Sequence, residues 1–314
     1  MKLTSFALAL VLALFGALAL CAAPLRAQDA RPGAAPAAAE EHVDIITPHI
    51  TDSHHLELPF IGELELPRWA PVHVGALAVD LSPTKHVVMM LVAALLCVAT
   101  MLVAARSATR QTREQGHARG FAGAIETVVL YVRNEVVMKN VGPHGEGYAP
   151  FVLTLFFFIL FANLLGLIPY GSTATGNIAV TATLAIITFL VIEGATMASQ
   201  GWGYVWTIFY WPHDMPLAMK LPMTVIMTPI EIVSKLTKPF ALAIRLFANM
   251  TAGHVVLLAM ISLIFTFHSW FIAGAPVLMG IAISMLELFV AFLQAFIFSL
   301  LASVFIGLGR QGAH

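Results

Sequence analysis

The sequence LAIRLFANMTAGH, residues 242–254, places a permanent positive charge inside an apolar run. Arg245 follows four apolar residues and precedes three more, so the adjacent sequence offers its guanidinium no partner. A guanidinium keeps its proton at physiological pH, so it can hold an anion without joining a proton relay. Asn249 and His254 follow on the same segment, and an imidazole exchanges protons near neutral pH. Ionisable residues in an apolar segment predict an ion pathway.

A second apolar segment, residues 276–307, carries Glu287 and Gln294 seven positions apart, which places both on one face of a helix. Facing residues of an antiparallel hairpin have position numbers with a nearly constant sum. That sum is almost the same for Arg245 with Gln294 as for His254 with Glu287, so one register brings both polar pairs together. An ideal helix separates Arg245 from His254 by about 13 Å along its axis, so the two pairs lie at different depths.

A third polar set lies on or beside the helical stripe of the arginine. Glu231 falls on the helical stripe of Arg245 if the helix continues through Pro239. Taken singly, these residues have ordinary alternatives, because a serine such as Ser234 can bond to the backbone of its own helix. The set consists of Glu231, Ser234, Thr237, Lys238 and Asn249.

The composition indicates that this chain lies largely in a lipid bilayer. It has 59% hydrophobic residues, 11% charged residues and a mean hydropathy of +0.88, whereas soluble domains carry about 25% charged residues. The two cysteines, Cys21 and Cys97, lie in separate apolar runs and predict no structural disulfide. Nucleotide-loop, zinc-protease and nucleophile-elbow motifs do not occur. We therefore expect an integral membrane protein with no cofactor, no bound metal and no nucleic-acid partner.

The N-terminal part predicts export. Residues 1–27 combine Lys2, an apolar core and small residues, which is typical of a cleaved signal peptide. An uncleaved helix is the alternative, disfavoured by the short apolar core. Lipidation of Cys21 is disfavoured because Leu20 replaces the expected small residue. Residues 28–84 form an acidic exported tail that begins with low complexity, and its run HLELPFIGELELP predicts a small strand pair.

Residues 85–308 predict an all-α membrane domain with about five transmembrane helices and additional amphipathic interfacial helices. An amphipathic surface helix is expected at residues 121–140. The last two spans far exceed the roughly 20 residues of an upright span, which predicts a strongly tilted antiparallel hairpin with its turn at residues 268–276. The five spans are expected at about 86–105, 150–168, 177–197, 221–267 and 276–307.

The charge distribution predicts the orientation. Acidic residues precede the first span, and four arginines, Arg106, Arg110, Arg113 and Arg119, follow it. Because arginine-rich loops face the cytoplasm, we expect the mature N-terminus outside and the short C-terminus, residues 309–314, inside a bacterial inner membrane.

The run LAIRLFANMTAGH, with LELFVAFLQAFIFSLLASVFI at residues 286–306, closely resembles the two long C-terminal helices of the a-subunit family of rotary F-type ATP synthases. The run NLLGLIP at residues 163–169 fits as well, and the resemblance covers residues 80–308. It implies a non-catalytic stator subunit against a ring of small c-type proteolipids, together with the peripheral-stalk subunit b and the rest of the synthase in the lipid bilayer. Two offset half-channels would carry protons to and from the carboxylates of the ring.

By this resemblance, Arg245 is the essential charge facing a ring carboxylate, and Gln294 is its neighbour. His254 and Glu287 would form the relay of the outer half-channel, with Asn163 on the second span nearby. Glu231, Ser234, Thr237 and Asn249 would line the inner half-channel.

Two departures from the family pattern matter. Some family members carry a carboxylate at position 254 and a histidine at 287, so the pair is exchanged here. Several relatives have an acid where this chain has Gly166, which leaves that step of the relay to water or other groups.

An ion-coupled secondary transporter would also bury arginine, glutamate and histidine. Such transporters typically contain internal repeats, and the two halves of this sequence show none. A membrane hydrolase or metalloenzyme would need a nucleophile with a base, or clustered ligands. Co-purification with a small two-helix proteolipid separates the synthase subunit from both.

Overall fold

A computed structural model describes residues 53, 55–58, 62–67, 72–74, 77–79, 82–115, 119–168, 173–204, 217–267 and 270–311. The predicted signal peptide and the start of the predicted tail lie outside these residues.

Two short antiparallel strand pairs precede the helices. Strand β1 (His55–Leu58) pairs with β2 (Gly62–Glu65), which confirms the strand pair predicted in HLELPFIGELELP. Strand β3 (Val72–Val74) pairs with β4 (Leu77–Val79), which the sequence analysis does not anticipate.

The helices follow in chain order. They are α1 (Lys85–Gln115), α2 (Gly120–Tyr131), α3 (Ala149–Gly166), α4 (Ile178–Gln200), α5 (Leu217–Phe267) and α6 (Trp270–Gln311). Five of them, α1 and α3 to α6, are long and apolar enough to cross a membrane, which confirms the predicted number and order of spans.

The prediction for the hairpin turn is wrong over most of its range. Helix α6 begins at Trp270, so Gly274 and Pro276 lie inside the helix rather than in a turn. A proline removes one backbone hydrogen bond, and a helix of 42 residues tolerates this loss near its start. Helix α5 likewise continues through Pro222, Pro229 and Pro239.

Helix α3 belongs to the most buried of the five candidate spans. Its sequence is apolar on all sides, as expected for a helix that contacts neighbours all round. Phe158, Leu155 and Ile159 are fully buried there, and the helix packs against α1 and α6. Helix α6 packs in turn against α4 and α5, so it joins α3 to these two spans.

Helix α2 continues through a π-helical segment, Val132–Met138, and a last turn, Lys139–Val141. This segment buries its valines and exposes Arg133 and Glu135, so the predicted amphipathic pattern at residues 121–140 is confirmed. Arg133 forms an ion pair of 3.0 Å with Glu146 on the exposed side.

The C-terminal end of α6 is fastened to two other elements. Arg310 donates hydrogen bonds to the carbonyl oxygens of Val141 (3.3 Å) and Pro143 (3.1 Å), beyond the end of α2. Gln200, at the end of α4, donates to the Gly309 carbonyl at 2.6 Å. These bonds satisfy carbonyl groups that a helix end leaves without intrahelical partners.

Candidate functional site

Arg245 lies on an exposed face of α5. The residue before it, Ile244, and Ala248 and Asn249 after it are exposed too, whereas Leu242 and Leu246 are buried against the bundle. Within the described part of the chain, the guanidinium has no hydrogen bond or ion pair, and none joins it to Gln294, which is buried on α6. The charge therefore points away from the helices of its own chain.

This face belongs to the least buried span of the protein. The span Pro222–Leu263 is 17% buried, whereas the span Gly145–Gly166 is 67% buried. Large apolar side chains are also exposed on the two long helices, among them Phe240 on α5 and Phe289 on α6. An unpaired charge within an exposed apolar surface at membrane depth is costly unless a lipid headgroup, water or a partner meets it.

A first polar region, which we call the hairpin site, consists of Gly253, His254 and Glu287. The Glu287 carboxyl group packs directly on Gly253, where a Cβ atom would lie 3.0 Å from both Cγ and Cδ of the glutamate. Gly253 is thus the gap in α5 that admits the carboxylate of α6. This contact gives the antiparallel register that the predicted pairing of His254 with Glu287 requires.

A buried polar cluster lies between α3 and the hairpin. Asn163 is completely buried; its side-chain amide donates to the Ala291 carbonyl on α6 at 3.4 Å and its oxygen accepts from the Thr175 hydroxyl at 2.7 Å. Ala291 lies one turn after Glu287, so Asn163 is tied to the helix that carries the carboxylate. Gly176 separates the side chains of Thr173 and Thr251: its Cβ would lie 3.5 Å from Thr173 Cβ and 3.8 Å from Thr251 Oγ1.

The hydroxyl groups of Thr173 and Thr251 are buried and have no hydrogen-bond partner among the described residues. Thr251 lies three residues before His254, about one turn along α5. We call Thr173, Thr175 and Thr251 the threonine cluster.

Gly166, one of the two positions that depart from the expected family pattern, faces the same cluster. A Cβ atom there would lie 2.7 Å from both Cβ and Cγ2 of Thr173, which is too close for any side chain without rearrangement. The threonine side chain therefore occupies the space that an acid at position 166 would need.

A second polar region is a cavity of about 320 Å³ among α4, α5 and the C-terminal end of α6, which we call the charged cavity. Glu193 of α4 and Glu231, Lys235 and Lys238 of α5 line it, with Phe305 on the α6 side. Lys235 Nζ lies 3.6 Å from Glu193 Oε2, and Lys238 Nζ lies 5.0 Å from the centre of the Phe305 ring. The cavity contains two carboxylates and two ammonium groups and is neutral as a whole.

The structure groups some of the predicted site residues and separates others. Glu231 lines the charged cavity, whereas Ser234, Thr237 and Asn249 are exposed and do not line it. The Thr237 hydroxyl bonds to the Val233 carbonyl of its own helix at 2.7 Å. Asn163 joins the threonine cluster beside the helix that carries Glu287.

The sequence analysis misses Glu193, Lys235 and Tyr204. Glu193 is a charged residue inside the apolar third span, and an isolated charge in an apolar run is the signal that identifies Arg245, so the same signal could have identified Glu193. Lys235 and Tyr204 carry no comparable signal. Lys235 shares the fourth span with other charged residues, and Tyr204 lies in an aromatic-rich stretch after the third span.

The fold and the site together define a class of protein. It is a multi-pass helical membrane protein in which an arginine, unpaired among the described residues, lies between two polar regions along its helix. The family profile described as "ATP synthase A chain" matches residues 87–307. The chain is 42% identical to "ATP synthase subunit a" of Chloroherpeton thalassium over 83% of its length and 74% of that protein. It is 44% identical to "ATP synthase subunit a 2" of Prosthecochloris aestuarii over 84% of its length and 78% of that protein. The chain belongs to the ATP synthase A chain family.

Proposed function

We propose that this chain is the proton-translocating stator subunit of an F-type ATP synthase, a non-catalytic part of the complex. Its ring of c-type proteolipids would lie against the exposed face of α5. The observation that carries the proposal is Arg245, which is exposed and unpaired in the described part of the chain, on the least buried span.

Arginine fits this task on chemical grounds. A ring carboxylate that reaches the guanidinium is favoured in its ionised form, because a nearby positive charge stabilises a carboxylate. The guanidinium itself does not release a proton, so it cannot carry protons directly from one side of the membrane to the other. A lysine deprotonates more readily when it is buried, and would lose the charge that performs this role.

The two polar regions supply the two access routes in this proposal. The charged cavity, with Glu231, would connect the ring to the cytoplasm, and the hairpin site, with Asn163 and the threonine cluster, would connect it to the outer face. The buried hydroxyls of the cluster have donors and acceptors to offer to water, which supports a route that needs no acid at Gly166. Ser234, Thr237 and Asn249 would then face the ring rather than the cavity.

The arginines in the last turns of α1 and just after it support an N-terminus outside and a C-terminus inside a bacterial inner membrane. The signal peptide and exported tail, and the peripheral-stalk subunit b as a further partner, belong to the same proposal.

The test is ATP-driven proton pumping by the purified, reconstituted complex with Arg245→Lys. We expect an assembled complex that contains the proteolipid ring and whose pumping is lost. Pumping at the wild-type rate by an assembled variant would refute the role of Arg245, and failure to co-purify with a small two-helix proteolipid would refute the assignment to the synthase.

A further inference from the structure

Three side chains converge on the edge of the charged cavity. Glu193 of α4 and Lys235 of α5 form an ion pair of 3.6 Å, and their side chains retain only 17% and 18% of their exposure. Tyr204 follows the end of α4, and its hydroxyl donates a hydrogen bond to Glu193 Oε2, the oxygen that also faces Lys235. The Lys235 ammonium group also lies 4.8 Å from the centre of the Tyr204 ring. The three groups thus form one contact between α4 and α5.

Tyr204 acts as a neutral donor in this contact. Burial, and then its hydrogen bond to Glu193, raise the pKa of the Tyr204 hydroxyl to about 12. It therefore keeps its proton at physiological pH.

The remaining charges of the cavity are arranged differently. Lys238 is exposed and packs on the Phe305 ring, and α6 lines the cavity with Phe305, Leu308 and Gly309, none of which titrates. Glu231 has no hydrogen bond or ion pair within the described residues, although it lines the same cavity as Glu193. One carboxylate of the cavity is therefore held by two partners, and the other is left available.

We infer that Glu193 and Lys235 form a fixed ion pair that sets the charge of this cavity, so that Glu231 is the carboxylate that exchanges protons there. Both members of the pair are positioning residues. The inference rests on the proposed function of the cavity as the cytoplasmic access route and adds residues that the sequence analysis does not identify.

The inference predicts opposite effects for the two halves of the pair. Lys235→Gln leaves two carboxylates in one partly buried site, and their repulsion strengthens proton binding by Glu231. Glu193→Gln leaves an unmatched ammonium group, which weakens proton binding by Glu231. The pH at half-maximal transport should move upward in the first variant and downward in the second. The double variant restores neutrality and should return this pH toward that of the wild type.

The experiment measures ATP-driven proton pumping by the whole complex in inverted vesicles between pH 5.5 and 8.5. We expect opposite shifts of about one pH unit in the single variants and less than about 0.3 in the double variant. Glu193→Asp keeps the charge and should stay near the wild-type value even if Glu193→Gln assembles poorly. Lys238→Gln is the matched control: it removes the same charge from an exposed position, so its upward shift should be smaller. Adding Glu193→Gln to it should leave a net downward shift instead of a return to the wild-type value.

Lower rates with an unchanged pH profile would mean that the pair is only a structural contact, and the inference would be wrong. Equal shifts in one direction, or a double variant no closer to the wild type than either single variant, would also overturn it. These outcomes differ from failure of the proposed function, in which the wild-type complex pumps no protons or Arg245→Lys pumps normally.

Discussion

The charged cavity and the hairpin site lie on opposite sides of Arg245 along α5, yet they are built in different ways. The charged cavity is an open volume of about 320 Å³ with two carboxylates and two lysines. The hairpin site is a close contact, in which Glu287 fills the gap left by Gly253. One turn further along the same helix, the buried Asn163 amide bonds to the Ala291 carbonyl.

Under the proposed function, this difference would give two ways of admitting an ion to the same arginine. In an open cavity, fixed charges determine which group binds a proton, and water can supply the contacts between them. In a close contact, position determines the transfer, because the donor and the acceptor must meet at hydrogen-bond distance. Substitutions that change charge should therefore matter most in the cavity, and substitutions that change shape should matter most at the hairpin site.

The largest effect is expected from removing either chemical group of the hairpin site. His254→Ala and Glu287→Ala should each slow proton pumping by about 10²-fold, since a positioned acid or base typically contributes this much. If the two residues act as one coupled unit, the double variant should be little slower than the slower single variant.

The reciprocal exchange, His254→Glu with Glu287→His, should recover part of the activity, because it restores one acid and one base. Pumping rates in inverted vesicles check this prediction. Multiplicative losses in the double variant without recovery in the exchange would show that the residues act independently.

A smaller effect is expected when shape alone changes. Gly253→Ala should displace the Glu287 carboxyl, because the new Cβ would lie 3.0 Å from its Cγ and Cδ atoms. We expect about 10-fold slower pumping with normal assembly, since small misplacements of a reacting group are costly. Gly280→Ala on α6 is the control, because a Cβ there meets nothing within 4 Å. Equal rates in both variants would contradict the close-contact description.

The Gly166 position tests stability rather than transport chemistry. Gly166→Asp forces a side chain onto Thr173 and should lower the free energy of unfolding by about 1–3 kcal/mol, as overpacking usually does. Thermal unfolding in detergent measures this, and Thr173→Gly in the same chain should recover part of the loss. Gly194→Ala, which has open space at its Cβ, should be neutral. A Gly166→Asp chain as stable as the wild type would mean that Thr173 moves aside freely.

The smallest effect is expected at Thr237. Its hydroxyl bonds to its own helix and lies outside the charged cavity, so Thr237→Val should change pumping by less than about 2-fold. Glu231→Gln, one and a half turns away in the cavity, serves as the contrasting variant and should reduce pumping strongly. A large loss of pumping in Thr237→Val would contradict this prediction and would mean that Thr237 lines the access route, as the sequence pattern suggests.

Hydropathy predicts the spans of this fold well, because an apolar solvent demands uninterrupted apolar helices. It fails at the hairpin turn, because glycine and proline near Pro276 look the same in sequence whether they end a helix or lie within one. The register of the α5–α6 hairpin, seen in the contact of Glu287 with Gly253, is predictable from the polar residues isolated on these two long helices. The threonine cluster is not, because Thr173 and Thr175 come from a connection whose path depends on tertiary packing. Glu193 was within reach of the same reasoning that finds Arg245.

The contacts at the C-terminal end of α6 also hold one end of the hairpin in place. Gly307 lies so close to Asn140 that a Cβ would sit 2.9 Å from its carbonyl carbon, and Gly309 lies equally close to Thr196. Short-range repulsion rises steeply on compression, and the hydrogen bonds of Arg310 resist separation, so this end of the helix is stiff in both directions. The hairpin is thus held at the C-terminal end of α6. A sideways force on the exposed face of α5 would pass through this end into α2 and α4 rather than bend the hairpin.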